Sequence, residues 1–368
     1  MIRKAIFMQT ITVPLGERSY PIHIERGLLA KTGAMIREKL GDIAVAVVSD
    51  DHVAPLYMEE VVSSMEKVGL RVCSIVLPHG EQTKCLKSLE TLYAFLCEHH
   101  LTRKDAIVAL GGGVIGDLAG PAATYLRGVH FVQLPTTLLA QVDSSVGGKV
   151  AVDLPQGKNL VGAFYQPEMV LVDPDSLRTL TDDFWRDGLG EVVKYGCIGD
   201  EALFRLLEEN AGGGRIALMG VIGEILTHCI QYKANIVAQD EHDTGLRMTL
   251  NFGHTIAHAV ETCQHYTGMR HGEAVALGMR VITAMTEEKG MTEQGTSARL
   301  NRLLDALEMP RQLPAIPEKD LLNAMTLDKK SAGKQLRVIT LDKIGVCRIV
   351  PTDVDFFQGM TAQKFVQN

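Results

Sequence analysis

The chain has 368 residues, of which 46% are hydrophobic and 22% are charged. Because a single domain typically spans about 100 to 200 residues, this length predicts two domains, and the composition indicates a globular and not a disordered protein. The formal net charge of −7 argues against a nucleic-acid-binding surface, so an anionic ligand would need a local cluster of basic side chains.

Strand and helix patterns alternate through the first half of the chain. Apolar segments of strand length, such as "IAVAVVSD" at 43–50, are separated by helical segments such as 52–69. The stretch "DAIVALGGGVIGDLAG" at 105–120 predicts a strand, a glycine turn and a helix. Apolar strands separated by helices indicate a parallel sheet covered on both faces, so we expect an N-terminal α/β domain over residues 1–180.

The pattern changes after residue 180, where long helical segments predominate. Two late apolar runs, "LRVIT" at 336–340 and "VCRIV" at 346–350, predict a hairpin. We therefore expect a second, mainly α-helical domain over residues 181–368. Its predicted helical segments are 183–210, 217–239, 252–265, 271–289 and 296–308.

The chain lacks the usual marks of secretion or membrane insertion. Its first residues contain no apolar run of signal-peptide length, and no later run approaches the roughly 20 apolar residues of a membrane span. Seven cysteines are scattered without a C-x-x-C pair, so neither disulfides nor a thiolate zinc site is indicated. We expect a cytoplasmic protein that binds neither membrane nor nucleic acid.

Glycines mark a candidate phosphate site in the first half. Gly111, Gly112, Gly113 and Gly116 lie between an apolar strand and a helix, where a diphosphate can approach the backbone and the helix N-terminus favours its charge. A tight strand-to-helix turn would explain the same glycines. The segments "SDDHV" and "HGEQTK" also follow predicted strands, and open α/β sheets bind ligands at such ends. The three features together favour a bound nucleotide.

Polar side chains gather in the region 134–167, which the pattern predicts to be a loop. A solvated loop would explain charges, but not why hydroxyls, lysines and an amide collect within reach of the glycine turn. These residues are Thr136, Thr137, Asp143, Lys149, Lys158 and Asn159.

The helical half carries a possible metal site. Arg247, Asn251, His254 and His258 are spaced 4, 3 and 4 apart, so one continuous helix would place them in a single polar stripe. His271 lies at a predicted helix start. Two histidines and a carboxylate are typical of a catalytic divalent-metal site, and the i, i+4 spacing would pair His254 with His258. The spacing alone leaves the ligand set open.

A carboxylate and a lysine also lie close together earlier in the helical half. Glu191 and Lys194 are three residues apart in "GEVVKYG" and share one helical face. Such a pair is more often a surface ion pair than part of a site.

Taken together, these stretches resemble the 3-dehydroquinate synthase family of the sugar-phosphate cyclase superfamily. The resemblance covers nearly the whole chain. It rests on "VSDDHV", "GEQTK", "GGGVIGDLAG", "YLRG", "PTTLLAQVDSSVGGKVAVD", "GKNLVGAFYQP", "GEVVKYG", "GLRMTLNFGHTIAH", "HGEAVALGM" and "LDKKSAGKQLRVI". The chain departs from the usual family pattern at His79, Asp187, Gly190 and Asp243.

The resemblance implies an NAD-binding N-terminal domain and a helical metal-binding domain, with NAD and a divalent ion, zinc or cobalt, as cofactors. It implies that Glu191, His254 and His271 are the metal ligands. The implied cofactor-binding residues are Asp50, His52, Glu81, Lys84, Gly112, Gly113, Val114, Asp117, Thr136, Thr137, Asp143, Lys149, Lys158 and Thr179. The implied catalytic and substrate-binding residues are Arg127, Lys149, Asn159, Lys194, Lys233, Asp243, Arg247, Asn251, His258, and one or both of Lys329 and Lys330.

The family's reaction suits these residue types. It converts 3-deoxy-D-arabino-heptulosonate 7-phosphate to 3-dehydroquinate and phosphate, a phosphorus–oxygen lyase step of aromatic amino-acid biosynthesis by the shikimate pathway. Transient oxidation by NAD, phosphate elimination, reduction, ring opening and aldol closure follow one another, so NAD is regenerated. A metal lowers the pKa of the hydroxyl that is oxidised, and several fixed cations meet the substrate's carboxylate and phosphate.

Three alternatives remain at this point. Another sugar-phosphate cyclase, such as an inosose or valiolone synthase, would share the fold, and so would a metal-dependent alcohol dehydrogenase like glycerol dehydrogenase. The third alternative is a nucleotide-binding module without enzymatic activity, which would not explain the residues of metal-ligand type. For the assembly, we expect a homodimer acting on a small sugar phosphate.

Overall fold

The computed structural model describes residues 8–332 and 336–362. Contacts between residues divide the chain into two compact units. The first unit contains the residues up to Leu180 and the segment Lys233–His242, and the second contains Thr181–Tyr232 and the residues from Asp243 on. The expected division assigned 233–242 to the helical domain, whereas their contacts group them with the first unit.

The first unit is an α/β structure built on a mostly parallel sheet. Its helices are α1 (Thr32–Leu40), α2 (Ala54–Glu66), α3 (Leu86–Glu98) and α4 (Gly113–Ala122). Its strands are β1 (Gln9–Val13), β2 (Tyr20–Ile24), β3 (Ala44–Asp50), β4 (Arg71–Leu77), β5 (Ala106–Gly111), β6 (His130–Pro135), β7 (Lys149–Leu154), β8 (Gly157–Phe164) and β9 (Met169–Val172). In the described residues, seven of these strands form one sheet in the order β1-β2-β9-β6-β5-β3-β4, with only β1 and β2 antiparallel.

The central strands of this sheet are covered on both faces. All seven residues of β3 are buried. Val45 and Val47 belong to one hydrophobic cluster, and Ala46 and Val48 belong to another, because successive side chains of a strand point to opposite faces. This double burial explains the unbroken apolar run and confirms the predicted parallel sheet.

The prediction of a loop over 134–167 is wrong for most of its length. Strands β7 and β8 pair antiparallel as a separate hairpin, with Val150 opposite Ala163. The strands approach closely at Gly162, where a Cβ atom would lie 2.0 Å from the carbonyl oxygen of Val150. Most of β8 is exposed, so its sequence lacks the apolar alternation by which a strand is recognised.

The second unit is mainly helical, as expected. Its helices are α5 (Asp182–Ile198), α6 (Glu201–Ala211), α7 (Gly214–Gly220), α9 (His254–Cys263), α10 (His271–Glu288), α11 (Thr296–Ala306) and α12 (Glu318–Ala332). Helix α8 (Ile222–Gln239) belongs to this unit up to Tyr232 and to the first unit from Lys233 on. Strands β10 (Arg337–Lys343) and β11 (Val346–Pro351) form the predicted hairpin. None of the helices within the described residues has the length and apolarity needed to cross a membrane.

One predicted helix is divided in two, and one helix was missed. The expected segment 183–210 is interrupted after α5, because the Asp200 side chain accepts a hydrogen bond from the Leu203 N–H at 3.0 Å and begins a new helix there. Helix α12 was not predicted.

Candidate active site

Three candidate metal ligands converge in the second unit. Glu191 lies in the middle of α5, and His254 and His271 are the first residues of α9 and α10. The Nε2 atom of each histidine is 3.5 Å from Oε1 of Glu191. Ligand atoms about 2.0–2.2 Å from a tetrahedral zinc ion lie about 3.4 Å from one another. The observed spacing therefore fits one divalent ion held by two imidazoles and a carboxylate.

Close contacts between backbones bring the three ligands together. A Cβ atom on Gly190 would lie 2.0 Å from the carbonyl oxygen of Gly272, so α5 and α10 meet where Glu191 and His271 are the adjoining residues. Gly253, which precedes His254, meets α10 in the same way: a Cβ atom on Gly278 would lie 2.1 Å from its carbonyl oxygen. Each ligand thus lies beside a glycine at a helix contact.

Hydrogen bonds fix which nitrogen of each histidine can bind a metal. Nδ1 of His254 lies 3.1 Å from the carbonyl oxygen of Phe252, and Nδ1 of His271 lies 3.1 Å from Oε1 of Glu261. Both partners are acceptors, so each Nδ1 carries a proton, and Nε2 is the nitrogen that faces Glu191 and could bind a metal in the neutral ring. Such partners are typical of metal-binding histidines because they orient the ring and raise its basicity.

Lys194 is part of the same buried cluster. Its ammonium forms an ion pair with Oε2 of Glu191, while Oε1 of that carboxylate faces the histidines. Both residues are only about 1% exposed. The predicted surface ion pair is therefore wrong for this carboxylate and lysine: they are buried together beside the candidate ligands.

The pKa values of the two candidate histidines shift in opposite directions. Burial lowers the pKa of His254 to about 3, although the charge of Glu191 opposes this. Burial also disfavours charge on His271, but its hydrogen bonds with Glu191 and Glu261 outweigh this and raise its pKa to about 10. A metal would therefore displace a proton from His271 and none from His254.

The polar stripe expected on one continuous helix does not exist. Residues Leu246–Asn251 form a 3₁₀ helix, and the chain then turns at Gly253, whose φ of +80° belongs to the left-handed region, before α9 begins at His254. Arg247 is buried, at 3% exposure, whereas Asn251 is exposed. A glycine that interrupts the helix removes the register on which the stripe depended.

Geometry also bears on the competing ligand pair. The rings of His254 and His258 lie 5.5 Å apart, and His258, Glu261 and His271 form another group whose ligand atoms lie within 4.8 Å of one another. His258 is exposed, whereas Glu191 and His254 are buried. Because two of its three members are buried, we retain Glu191, His254 and His271 as the predicted set.

The other predicted substrate residues have varied surroundings. In the first unit, Arg127 is exposed with φ of +71°, Asn159 is exposed with φ of +56°, and Lys149 is the exposed first residue of β7. In the second unit, Asp243 is half-buried with φ of +57°. Lys329 and Lys330 fall at the end of α12, where side chains lie outside the described residues.

The glycine turn of the first unit combines packing with an open helix start. Helix α4 begins at Gly113 directly after β5 and the turn residue Gly112. A Cβ atom on Gly111 would lie 2.7 Å from Cβ of Ile115, so that glycine is required by packing. Val114 lies in the first turn of α4, whose N–H groups are available to an anion.

Charged residues predicted to bind the cofactor form two linked pairs beside this turn. Nζ of Lys84 lies 2.6 Å from Oδ2 of Asp117 on α4, and Nζ of Lys158 lies 2.9 Å from Oε1 of Glu81. Burial lowers the pKa of Lys84, but the charges of Asp117 and Glu81 outweigh it and raise the pKa overall. These four side chains, scattered from residue 81 to residue 158, are therefore one electrostatic cluster.

A third ion pair belongs to the same unit. Nζ of Lys233 lies 2.8 Å from Oδ1 of Asp143 and 2.7 Å from the carbonyl oxygen of that residue. This contact helps explain why 233–242 group with the first unit.

The remaining predicted cofactor residues lie at the ends of strands or turns. Asp50 ends β3 and accepts hydrogen bonds from the N–H groups of His52 and Val53, both at 2.9 Å. Thr136 follows β6, and within the described residues its buried Oγ1 has no hydrogen-bond partner. A buried hydroxyl in that state is suited to a bound ligand.

Two further threonines predicted to bind the cofactor form hydrogen bonds within the protein. Oγ1 of Thr137 accepts a hydrogen bond from the Ala140 N–H at 3.2 Å, and Thr179 lies 2.6 Å from the Tyr57 hydroxyl.

Sequence reasoning missed two residues of the metal cluster. Glu261 holds His271, and its position seven residues after His254 and three after His258 would have placed it on the same helical face. Asp187 accepts a hydrogen bond from the Gly272 N–H at 2.7 Å and so fixes the start of α10. No local signal reveals that contact, because the partners are 85 residues apart.

Comparisons with known proteins identify the family. Family models of the 3-dehydroquinate synthase N-terminal and C-terminal domains match residues 74–187 and 188–331. Proteins named 3-dehydroquinate synthase from Clostridium beijerinckii and Clostridium kluyveri are 45% and 43% identical, covering 95% and 93% of this chain and 100% and 95% of their own lengths.

A solved structure shares the fold at lower identity. It is a 2-deoxy-scyllo-inosose synthase complexed with carbaglucose-6-phosphate, NAD⁺ and Co²⁺, with a TM-score of 0.87 and 23% identity over 96% of this chain and 99% of that chain. The two family models and the two relatives decide the assignment: this chain belongs to the 3-dehydroquinate synthase family.

Proposed function

We propose that this chain converts 3-deoxy-D-arabino-heptulosonate 7-phosphate to 3-dehydroquinate and phosphate, as a phosphorus–oxygen lyase that uses NAD and a divalent ion, zinc or cobalt. The observation that carries the proposal is the convergence of Glu191, His254 and His271 beside the buried ammonium of Lys194. In a member of this family, such a cluster matches a reaction that oxidises a hydroxyl of a polyol.

The metal, when bound, lowers the pKa of substrate hydroxyls that it contacts. Glu191 and the two histidines would hold it, with positions left open for the substrate. Lys194 is held beside the proposed metal ligands by Glu191, where its ammonium is suited to orient one substrate hydroxyl. His258, exposed on the next turn of α9, is suited to a hydrogen bond with substrate or to proton transfer.

The substrate carries a carboxylate and a phosphate, which need fixed cations in a chain whose net charge is −7. In the second unit we assign Arg247 to one of these groups, with Asn251 as a further hydrogen-bond donor. Arg127, Lys149 and Lys233 of the first unit are the other proposed cations. The guanidinium of Arg247 is buried, which reduces screening by water and strengthens its attraction for an anion.

NAD, when bound, accepts a hydride from the substrate and later returns it. The N-terminus of α4 would hold the diphosphate, where Gly112 and Gly113 leave the backbone open. The ion pair with Lys84 holds the Asp117 side chain of α4 beside that turn. The buried hydroxyl of Thr136 would bind the cofactor.

The test compares substrates. Metal-loaded protein with NAD should form 3-dehydroquinate and phosphate from the heptulosonate phosphate, and should not act on glucose 6-phosphate. Preference for glucose 6-phosphate would indicate an inosose-type cyclase instead. A Glu191→Gln variant is the matched control, because it keeps the shape of the side chain and removes the proposed ligand charge.

We further propose that the protein is a cytoplasmic homodimer. Light scattering should give about twice the monomer mass of 40.2 kDa, and a monomer mass would refute the dimer. Cell fractionation tests the location, which a membrane-bound or secreted pool would contradict.

A further inference from the structure

A second group of metal-type side chains lies in the first unit, outside the residues assigned to the catalytic metal. Asp51, His52 and His79 place one ligand atom each within 4.8 Å of one another. Nδ1 of His79 is 2.8 Å from Oδ1 of Asp51, and the His52 and His79 rings stack with centroids 3.5 Å apart. All three side chains are exposed, so water can fill any remaining coordination positions.

The sheet brings these residues together. Strands β3 and β4 are parallel neighbours that end in register at Asp50 and Leu77. The residues that follow them therefore emerge at one edge of the sheet. Backbone hydrogen bonds hold both loops there: the Asp51 N–H donates to the Leu77 carbonyl at 3.0 Å, and the His79 N–H donates to Oδ1 of Asp51 at 2.9 Å.

We propose that Asp51, His52 and His79 form a second, solvent-accessible site for a divalent transition-metal ion that prefers imidazole, such as Zn²⁺, Ni²⁺ or Cu²⁺. Two imidazoles and a carboxylate are a donor set suited to these ions. Binding requires the donor atoms to lie about 3.4 Å from one another, so Nδ1 of His79 and Oδ1 of Asp51, now 2.8 Å apart, would separate slightly, which exposed side chains achieve by small rotations. The inference needs neither NAD nor the proposed reaction.

The experiment titrates additional zinc into the untagged full-length protein, after one zinc equivalent has been loaded and without added NAD. Calorimetry should detect one weaker equivalent. His79→Ala and His52→Ala should each weaken that equivalent by about tenfold or more, which is the order of effect seen when a metal site is damaged. His99→Ala is the control, because His99 is exposed but belongs to no group of metal-type ligands among the described residues.

A second arm separates the two sites. Glu191→Gln should lose the tight equivalent and keep the weaker one, and zinc anomalous scattering from crystals should place the weaker ion between Asp51 and His79. The proposal is overturned if no second equivalent binds at millimolar zinc, or if it survives both histidine substitutions. Equal thermal midpoints for the variants and the parent would show that a lost equivalent does not reflect unfolding.

Discussion

Replacing Glu261 with glutamine tests how the metal cluster is held. Oε1 of Glu261 lies 3.1 Å from Nδ1 of His271, and the residue is only 8% exposed. Glutamine keeps the volume and an acceptor oxygen but removes the charge. The substitution therefore leaves the packing of α9 largely intact while it weakens the hydrogen bond that orients the His271 ring.

The expected magnitude combines two opposing effects. A hydrogen bond to a charged group contributes about 1.5–3 kcal/mol, and loss of a partner that orients a metal ligand weakens metal binding about 10–100-fold. Glu261 also contributes to the raised pKa of His271. In the variant this pKa is lower, so protons compete less with the metal for His271 at neutral pH. We therefore expect a loss towards the lower end of this range near pH 7, which widens as the pH rises.

Competition with a zinc chelator between pH 6.5 and 8.5 measures these affinities. Glu208→Gln is the control, because Glu208 also pairs with a cation, Arg299, at 2.7 Å in the same unit. Abolished zinc binding in Glu261→Gln would make Glu261 itself a ligand, with His258 and His271, and would refute the assignment of Glu191. Unchanged affinity at every pH would refute the link between Glu261 and His271.

Three further predictions follow from the same geometry. His254→Ala should lose the metal, and His258→Ala should retain it with a reduced kcat; metal analysis showing the reverse would favour the His258 group as the ligand set. Arg247→Ala should lower kcat/KM about ten- to hundredfold with zinc content unchanged, and Arg247→Lys should recover only part of it because lysine cannot bind an anion in bidentate fashion; full activity in the alanine variant would contradict this. Because the pKa of His271 is raised to about 10 and metal binding requires its neutral form, zinc affinity should rise about tenfold per pH unit from pH 6 to 8. Calorimetry in two buffers should count about one proton released, and a count of zero would be inconsistent with that pKa.

Patterns confined to neighbouring residues predicted much of this fold. The apolar runs of β3 and β5 predicted a parallel sheet because both faces of these strands are buried. The β7–β8 hairpin was missed because exposed positions dominate β8. The turn at Gly253 was missed for a different reason: a spacing of three and four residues persists across a glycine that breaks the helix.

Local sequence spacing could not predict the proposed set of metal ligands. A local pattern nominates His254 and His258, which are four residues apart, whereas the set that the family resemblance implied contains His271 and Glu191. The resemblance gave that set before any geometry did. Glu191 and His271 come together because α5 and α10 approach closely at Gly190 and Gly272, a tertiary contact that no periodicity encodes.

The most direct test of the proposed reaction is the ratio of phosphate released to NAD supplied. Metal-loaded protein should receive excess 3-deoxy-D-arabino-heptulosonate 7-phosphate and a trace of NAD, with phosphate and absorbance of NADH followed together. A cyclase regenerates its NAD, so we expect many phosphates and 3-dehydroquinate molecules per NAD, with no lasting accumulation of NADH. Accumulation of NADH in proportion to the substrate consumed would contradict the proposal and identify a dehydrogenase.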